Sequence, residues 1–333
     1  MSKFAVMGAG SWGTTFAKVL ADGGNDVVLW ARREDVVEDI NDNHRNGDYL
    51  PGIDLPTCLT ATLDAAEALA DAEQVYVAVP SAKLRENLES WGKLIPKDAI
   101  VVSLMKGLEQ GSGLRMSEVI EEVLGIPRPQ IAVVSGPNLS AEIAQEHPTA
   151  AVAACSSPNN ASAVAAASTN EYFTTFTNRD VIGTEFGGIL KNLIAVAIGI
   201  VNGVGYGQNT KASIMTRGLA EISRFAVAYG AKPNTMVGLA GLGDLIATAE
   251  SPLSRNFKAG EMLGKGFSKR EVLRRLSQTA EGLNSVGPVL ELAEAKGISM
   301  PIVEQVQLVI DGKLKPKDIA PYLMGEDETP QGE

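Results

Sequence analysis

The chain begins with an apolar run at residues 4–7 that leads directly into a glycine-rich turn and then into an Ala- and Leu-containing segment. The turn reads Gly8-Ala-Gly10-Ser-Trp-Gly13. Between a strand and a helix, the first glycine allows the tight turn, the second lets the backbone approach a pyrophosphate, and the third lets the helix pack closely on the strand. The helix N-terminus then presents N–H groups to the anion. This pattern predicts a Rossmann-like unit in which Gly8, Gly10 and Gly13 bind a dinucleotide.

A basic pair, rather than an acidic residue, follows the second apolar run at residues 26–30. An NAD-specific site usually places a carboxylate about 20 residues after the glycines, where it binds the ribose 2′-hydroxyl. Here Arg32 and Arg33 take that place, and guanidinium groups suit a 2′-phosphate and stack on adenine. Glu34 comes next, but its position indicates the first turn of a helix. The sequence therefore favours NADP(H) as cofactor, with NAD(H) as the alternative.

Apolar β-rich runs alternate with helical segments over the first 180 residues, which predicts a mostly parallel sheet with helices on both faces. After the first run, the predicted strands are residues 27–30, 74–79, 99–104, 131–135, 150–154 and 173–177. Only helical patterns follow, most clearly at residues 184–201, 210–229, 269–276, 285–296 and 301–310. We therefore predict a doubly wound α/β Rossmann-like domain (residues 1–180), an all-α substrate and catalytic domain (181–324) and a disordered acidic tail (325–333).

The charge and the cysteine content limit the partners of the chain. The net charge is −11 and the isoelectric point is about 4.9, which argues against binding to nucleic acid or to an anionic membrane. Cys58 and Cys155 lie in unrelated segments without metal-ligand spacing, so we expect no metal site and a reducing compartment. No signal-peptide pattern follows Met1, because the first strand begins at once. These features predict a cytoplasmic protein.

The stretch of residues 192–210 lacks charged residues for long enough to raise the question of a membrane span. Asparagine, glutamine and glycine residues interrupt it, so a buried helix accounts for its apolar part more simply. We predict that this helix lies at the centre of the helical domain and that the protein is not embedded in a membrane.

Ligands of an open parallel sheet bind beyond the carboxyl ends of the strands, so the residues that follow each strand are candidates for a site. Three such segments are residues 79–81, Lys106-Gly107 and Gly136-Pro-Asn138. We expect the first to border the nicotinamide half of the cofactor. We also expect Lys106 to be functional because of its place at this edge of the sheet.

Hydride transfer between an alcohol and a nicotinamide needs a group that moves the hydroxyl proton. His44 and His147 lie in polar, loop-like segments, so this role falls to a lysine. Lys191, followed by Asn192, is predicted at the start of the most apolar helix, where a buried charge is costly unless it has partners. It is either an acid and base in the cleft between the domains or part of a structural salt bridge between them.

Two further segments carry groups suited to an anionic substrate. Asp244 follows a glycine-rich turn, with Thr248 one helical turn later on the same face, although Asp244 alone is also consistent with a helix N-cap. Ser254-Arg255-Asn256 offers a hydroxyl, a guanidinium and an amide close to a predicted helix start. This arrangement suits a phosphate monoester.

Together these segments resemble the NAD(P)-dependent glycerol-3-phosphate dehydrogenases of the bacterial soluble type. The motifs GAGSWGT, Lys106-Gly, SGPN, LKN, NTKASIMTRGLAEISR, GLAGLGDL, SRN and Ala280-Glu281-Gly282 follow that family's order and spacing over about residues 3–324. The resemblance implies a 6-phosphogluconate dehydrogenase-like fold and a homodimer. It also implies reversible hydride transfer that reduces dihydroxyacetone phosphate to sn-glycerol 3-phosphate for glycerophospholipid synthesis. The alternatives are a β-hydroxyacid dehydrogenase or ketopantoate-reductase-like enzyme, and a non-catalytic NADP(H) sensor.

The resemblance also implies roles for single residues. Lys191 is implied as proton donor and acceptor, and Asp244 as the group that orients this lysine or the substrate. Flux towards glycerol 3-phosphate uses the lysine as an ammonium, so we expect a pKa that is not strongly lowered. Beyond the glycines, the implied cofactor contacts are Ser11, Trp12, Arg32, Arg33, Tyr49, Lys106, Ser140, Arg255, Thr279 and Glu281. The implied substrate contacts are Lys106, Gly136, Asn138, Lys191, Asn192, Asp244, Ser254, Arg255 and Asn256; of these contacts, those of Asn138 and Thr279 lie where the sequence departs from the commonest family form.

Overall fold

The computed structural model describes residues 2–252, 254–276 and 280–319; Thr279 and the predicted tail at 325–333 lie outside them. Within this part of the chain, residues 3–178 form one eight-stranded sheet. The strands are β1 (Lys3–Met7), β2 (Asp26–Trp30), β3 (Leu59–Thr62), β4 (Gln74–Val77), β5 (Ile100–Ser103), β6 (Ile131–Ser135), β7 (Thr149–Cys155) and β8 (Phe173–Asn178). The strand order is β3-β2-β1-β4-β5-β6-β7-β8, and every pair is parallel except β6 with β7.

Helices connect the strands in the first half of the described chain, and helices joined by turns and loops make up the second half. Those of the first half are α1 (Ser11–Asp22), α2 (Glu34–Asn43), α3 (Ala65–Leu69), α4 (Leu84–Trp91), α5 (Met116–Leu124), α6 (Ser140–Ala144) and α7 (Pro158–Ser168). Those that follow the sheet are α8 (Val181–Val204), α9 (Gln208–Ala228), α10 (Pro233–Met236), α11 (Asp244–Glu250), α12 (Arg255–Gly264), α13 (Lys269–Arg275), α14 (Glu281–Ala295) and α15 (Pro301–Ile310).

The sheet confirms the predicted fold class, a mostly parallel sheet followed by helices. Strands β4, β5 and β6 are buried along their whole length, as expected where helices cover both faces of a parallel sheet. Strand β3 was not predicted, because its four residues, Leu-Thr-Ala-Thr, contain one large apolar side chain and give no clear apolar run.

Helix α8 is the centre of the helical part, as predicted. It is long and apolar enough to cross a membrane, with a mean hydropathy of 1.6, but 83% of its apolar window is buried inside the protein. The helix contains the predicted segment 184–201, but the prediction that Lys191 lies at the start of the helix was wrong. Asp180 caps the helix by accepting the backbone N–H of Gly183 at 2.9 Å, so Lys191 lies in the middle of the helix.

Helices α8 and α12 touch backbone to backbone through four glycines. A Cβ on Gly199 or Gly203 of α8, or on Gly260 or Gly264 of α12, would lie 2.2 Å from a backbone oxygen of the other helix. Only glycine permits this approach, since any side chain would separate the helices. The contact brings the N-terminus of α12, which begins at Arg255, beside the middle of α8.

Candidate functional site

The glycine-rich turn between β1 and α1 has the geometry that a bound dinucleotide needs. Gly8 has a φ of +128°, and a Cβ there would lie 2.7 Å from the carbonyl oxygen of Ala78. A Cβ on Gly13 would lie 1.9 Å from the carbonyl oxygen of Gly8, so α1 packs directly on the turn. Gly10, by contrast, has nothing within 4 Å of its Cβ position. That open space beside the first turn of α1 fits a pyrophosphate.

A cleft of about 820 Å³ runs from this turn along the carboxyl edge of the sheet to the start of α12. Its walls come from both the sheet and the helices. The candidate residues that line it are Gly8, Gly10, Ser11, Trp12, Arg32, Arg33, Tyr49, Lys106, Asn138, Ser140, Lys191, Asn192, Ser254, Arg255, Asn256 and Glu281. Gly13, Gly136 and Asp244 lie behind this surface and support it.

Two lysines from distant parts of the chain share one buried carboxylate. Lys106 Nζ lies 2.6 Å from Asp244 Oδ2 and also donates to the carbonyl oxygen of Gly136 at 3.1 Å. Lys191 Nζ lies 2.8 Å from Asp244 Oδ1 and donates to Thr248 Oγ1 at 2.5 Å. The side chain of Asp244 is only 2% exposed, so its charge depends on these partners.

The ammonium of Lys191 is held in a nearly dry place. Burial lowers the pKa of Lys191 to about 8, and the positive charge of Lys106 acts in the same direction, while Asp244 and Glu281 oppose the shift. The expectation that this pKa is not strongly lowered was wrong, because the depth of Lys191 within α8 could not be read from the sequence. Near neutral pH this amine can both donate and accept a proton.

The salt bridge considered for Lys191 exists, but it does not cross between the two parts of the molecule. Lys191 and Asp244 both belong to the helices that follow the sheet, and the contact that crosses from the sheet is the one from Lys106. Asp244 is not an N-cap either. It is the first residue of α11, with helical φ and ψ of −69° and −32°, and a π-helical turn at Leu239–Gly243 precedes it.

The N-terminus of α12 forms the other end of the cleft. Ser254 is its N-cap, with Oγ accepting the N–H of Phe257 at 3.2 Å. Asn256 accepts the N–H of Gly282 at 2.9 Å and donates to Asn192 Oδ1 at 2.8 Å. These bonds tie the first turns of α12 and α14 to α8. The side chain of Arg255 therefore extends from a backbone that is held in place at a helix N-terminus.

The end of the cleft beside β2, which the glycine turn predicts as the adenosine end, holds the arginine pair. Arg33 pairs with Asp35 and, at 2.7 Å, with Asp48, and all three side chains are about half exposed or more. Arg32 and Tyr49 line the same end. Glu34 begins α2, as expected from the sequence, so it belongs to the helix rather than to a ribose-binding turn.

Glu281 brings a second carboxylate to the cleft. It is the first residue of α14, and burial raises its pKa although Arg255, Lys106 and Lys191 act in the opposite direction. Around Glu281, this end of the cleft therefore brings together three cationic side chains, Lys106, Lys191 and Arg255, and the two carboxylates Asp244 and Glu281 among the residues that the structure describes. An anionic substrate would enter a region of net positive charge in an otherwise acidic protein.

The two histidines lie apart from this charged cluster. His147 is exposed, His44 ends α2 in a left-handed conformation, and neither lines the cleft. Both amide atoms of Asn138 are buried and make no hydrogen bond within the described residues. Thr248 lines the cleft and binds Lys191; the sequence placed it on the same helical face as Asp244 but assigned it no contact.

Comparisons with known proteins cover the chain from end to end. Residues 3–161 match the N-terminal model of the NAD-dependent glycerol-3-phosphate dehydrogenases, and residues 180–321 match the C-terminal model. A "glycerol-3-phosphate dehydrogenase [NAD(P)+]" of Leifsonia xyli subsp. xyli is 63% identical over 98% of this chain and 89% of its own length. The one from Thermobifida fusca is 51% identical over 99% of both chains.

A solved structure agrees with this assignment. Glycerol-3-phosphate dehydrogenase from Coxiella burnetii superimposes with a TM-score of 0.91 at 35% identity, covering 98% of this chain and 99% of its own. Its agreement extends over both the sheet and the helices, so the cleft between them belongs to the shared fold. The chain is thus a member of the NAD(P)-dependent glycerol-3-phosphate dehydrogenases and has glycerol-3-phosphate dehydrogenase [NAD(P)+] activity.

Proposed function

We propose that Lys191 is the proton donor and acceptor of this dehydrogenase and that Asp244 fixes its position. The observation that carries the proposal is the sharing of one buried carboxylate by Lys106 and Lys191 at the cleft. An ammonium held by Asp244 and Thr248 keeps a fixed direction, and it can place its remaining proton on a substrate oxygen. Neither histidine of the chain lines the cleft.

The reduction of dihydroxyacetone phosphate adds a hydride to C2 and a proton to the C2 oxygen. The glycine turn with Ser11, Trp12, Tyr49, Ser140 and Glu281 would hold the cofactor, whose nicotinamide would supply the hydride. Lys191 Nζ hydrogen-bonds the carbonyl oxygen, stabilises the negative charge that grows on it and transfers the proton, leaving a neutral amine. In the reverse direction the neutral amine takes the proton from the C2 hydroxyl of sn-glycerol 3-phosphate. Solvent then restores the starting protonation state.

The phosphate end of the substrate belongs at the start of α12. The N–H groups of the first turn and the guanidinium of Arg255 offer charge-assisted hydrogen bonds to phosphate oxygens. Lys106 adds positive charge from the sheet side. These groups are held in place by the Ser254 cap and by the hydrogen bond between the side-chain amides of Asn256 and Asn192. The start of α12 thus holds the phosphate of the substrate, while Lys191 holds its C2 oxygen.

The lowered pKa of Lys191 suits a reversible reaction. Below about pH 8 the amine is mostly protonated, as reduction needs, and above it the amine is mostly neutral, as oxidation needs. Reduction therefore slows and oxidation accelerates as the pH rises through this value.

We propose that NADP(H) is the preferred cofactor and that NAD(H) is also used. Arg32 and Arg33 replace the carboxylate of an NAD-specific site, and both line the adenosine end of the cleft. The ion pairs of Arg33 with Asp35 and Asp48 compete with a 2′-phosphate, which reduces the preference. We further propose a cytoplasmic homodimer in which residues 1–180 bind the cofactor and residues 181–324 bind the substrate.

The direct test is a spectrophotometric assay of the purified protein with NADPH. Oxidation of NADPH should depend on dihydroxyacetone phosphate, and unphosphorylated dihydroxyacetone should react far more slowly. Ketopantoate and a β-keto acid serve as carboxylate controls and should give no activity. Equal activity with the unphosphorylated ketone would contradict the proposed phosphate site at the start of α12.

A further inference from the structure

A buried ion pair joins α8 to the sheet side of the molecule, away from the lysines. Arg115 Nη1 lies 2.5 Å from Glu185 Oε2. Ser117 donates its backbone N–H to Glu185 Oε1 at 2.9 Å and its hydroxyl to Oε2 at 2.5 Å. The side chain of Glu185 is 2% exposed and that of Arg115 is 11% exposed. Both oxygens of this carboxylate therefore accept hydrogen bonds from residues that precede Glu185 by about 70 positions.

These partners stand at the end of the loop that carries Lys106. The loop leaves β5, places Lys106 on Asp244, inserts Leu108 into the core of the helical part and ends at Arg115, the N-cap of α5. A β-bridge between Leu108 and Arg115 closes it upon itself. The segment of residues 104–117, which comprises this loop and the first two residues of α5, is thus attached to the helices that follow the sheet at both ends, by Lys106 at one and by Glu185 at the other.

We propose that Glu185 is a positioning residue for the reaction, because it holds the segment of residues 104–117 against α8 and thereby fixes Lys106 relative to Lys191. Glu185 stands six residues before Lys191 on the same helix, roughly 9 Å along its axis and about 240° around it. The two side chains point in different directions, so Glu185 does not contact Lys191. It affects the site through the position of the Lys106 segment relative to α8. The inference rests on the proposed role of Lys191.

The loss of this attachment has two consequences at the cleft. The distance between Lys106 and Lys191 becomes less well defined, and a misplacement of about 1 Å can reduce a rate by roughly a hundredfold. Water also reaches the interface, which moves the pKa of Lys191 back towards the ordinary value of a lysine. Direct electrostatics predicts the opposite sign, since removal of a nearby negative charge disfavours an ammonium. The groups that face Lys191 directly are Asp244, Lys106 and Glu281.

The test compares Glu185→Gln with Glu118→Gln. Glu118 also pairs with Arg115, at 2.6 Å, but lies on α5 at the same side of the interface, and glutamine preserves its capping box. We expect Glu185→Gln to lower kcat at least about tenfold while the Kd for NADPH changes less than about twofold. The pH midpoint for oxidation of sn-glycerol 3-phosphate should move upward. Glu118→Gln should leave all three quantities unchanged.

A lower melting temperature with unchanged kcat and pH midpoint would overturn the proposal, as would a downward shift of the midpoint. If Glu185→Gln does not fold, Ser117→Ala removes one of the three bonds and keeps the backbone N–H. It should then lower kcat and raise the midpoint to a smaller extent, and wild-type values would again contradict the proposal. Lys191→Met separates the two proposals, since wild-type kcat in that variant refutes the role of Lys191 whatever Glu185→Gln does.

Discussion

Lys106 and Asp244 are 138 residues apart in the chain, yet Lys106 Nζ lies 2.6 Å from Asp244 Oδ2. This contact joins the carboxyl edge of the sheet to the first turn of α11. The other oxygen of the carboxylate holds Lys191, so a single buried anion sets the distance between two cations from different parts of the fold. With both lysines protonated, Lys106, Asp244 and Lys191 together carry a net positive charge of one, which favours a phosphorylated substrate.

Asp244→Asn should reduce both stability and activity. The substitution keeps the shape but leaves two lysines without their shared carboxylate, and breaking a buried ion pair in this way costs about 3 to 5 kcal/mol. The pKa of Lys191 should fall further, because Asp244 raises it in the wild type. The pH midpoint for oxidation then moves downward, which a kcat profile against pH measures. Asp311→Asn, at the exposed pair with Lys313, is the control and should change neither quantity.

Arg255→Ala should raise the KM for dihydroxyacetone phosphate and reduce discrimination against dihydroxyacetone. The expected loss is about 2 to 5 kcal/mol, because the bound phosphate would lose its guanidinium partner. Steady-state kinetics with the two ketones measure the effect. Arg128→Ala removes an exposed arginine that pairs with Glu121 and should have no effect on either substrate. An unchanged ratio of the two activities would place the phosphate elsewhere.

Arg32→Asp combined with Arg33→Ala should weaken NADPH binding far more than NADH binding. Charge-assisted hydrogen bonds to the 2′-phosphate are lost, and the difference should reach roughly tenfold or more. Fluorescence titration of both reduced cofactors gives the two Kd values. Equal losses for both would show that the arginines do not read the 2′-phosphate.

Asp48→Asn should tighten NADPH binding and leave NADH binding unchanged. Asp48 occupies one side of the Arg33 guanidinium at 2.7 Å, so its neutralisation releases donors for the 2′-phosphate. The gain should disappear in an Arg33→Ala background, where there is no guanidinium to release. Asp54→Asn is a matched control, since Asp54 pairs with Arg45 in the same segment at 2.8 Å. If Asp54→Asn has the same effect, the change comes from general charge and not from Arg33.

Local signals were readable from the sequence, whereas contacts that depend on packing were not. The roles of Gly8, Gly10 and Gly13 follow from their spacing between a strand and a helix, and the structure gives each the predicted surroundings. The pairing of Lys106 with Asp244 depends on how the helices pack on the sheet, which no short segment encodes. The position of Lys191 in the middle of α8 was also missed, because the helix begins at the Asp180 cap, upstream of the apolar pattern.

The most direct test of the account is kcat for dihydroxyacetone phosphate reduction by Lys191→Met. Methionine keeps the apolar stem and removes the charge, so the protein should fold, bind NADPH normally and melt near the wild-type temperature. The rate should fall at least about a hundredfold, within the range that general acid catalysis supplies. Lys265→Met, at an exposed pair with Glu261, controls for the loss of a lysine and should keep wild-type kcat. A Lys191→Met variant with lowered stability but nearly unchanged kcat would contradict the account, making Lys191 a structural ion pair and Lys106 the next candidate for the acid.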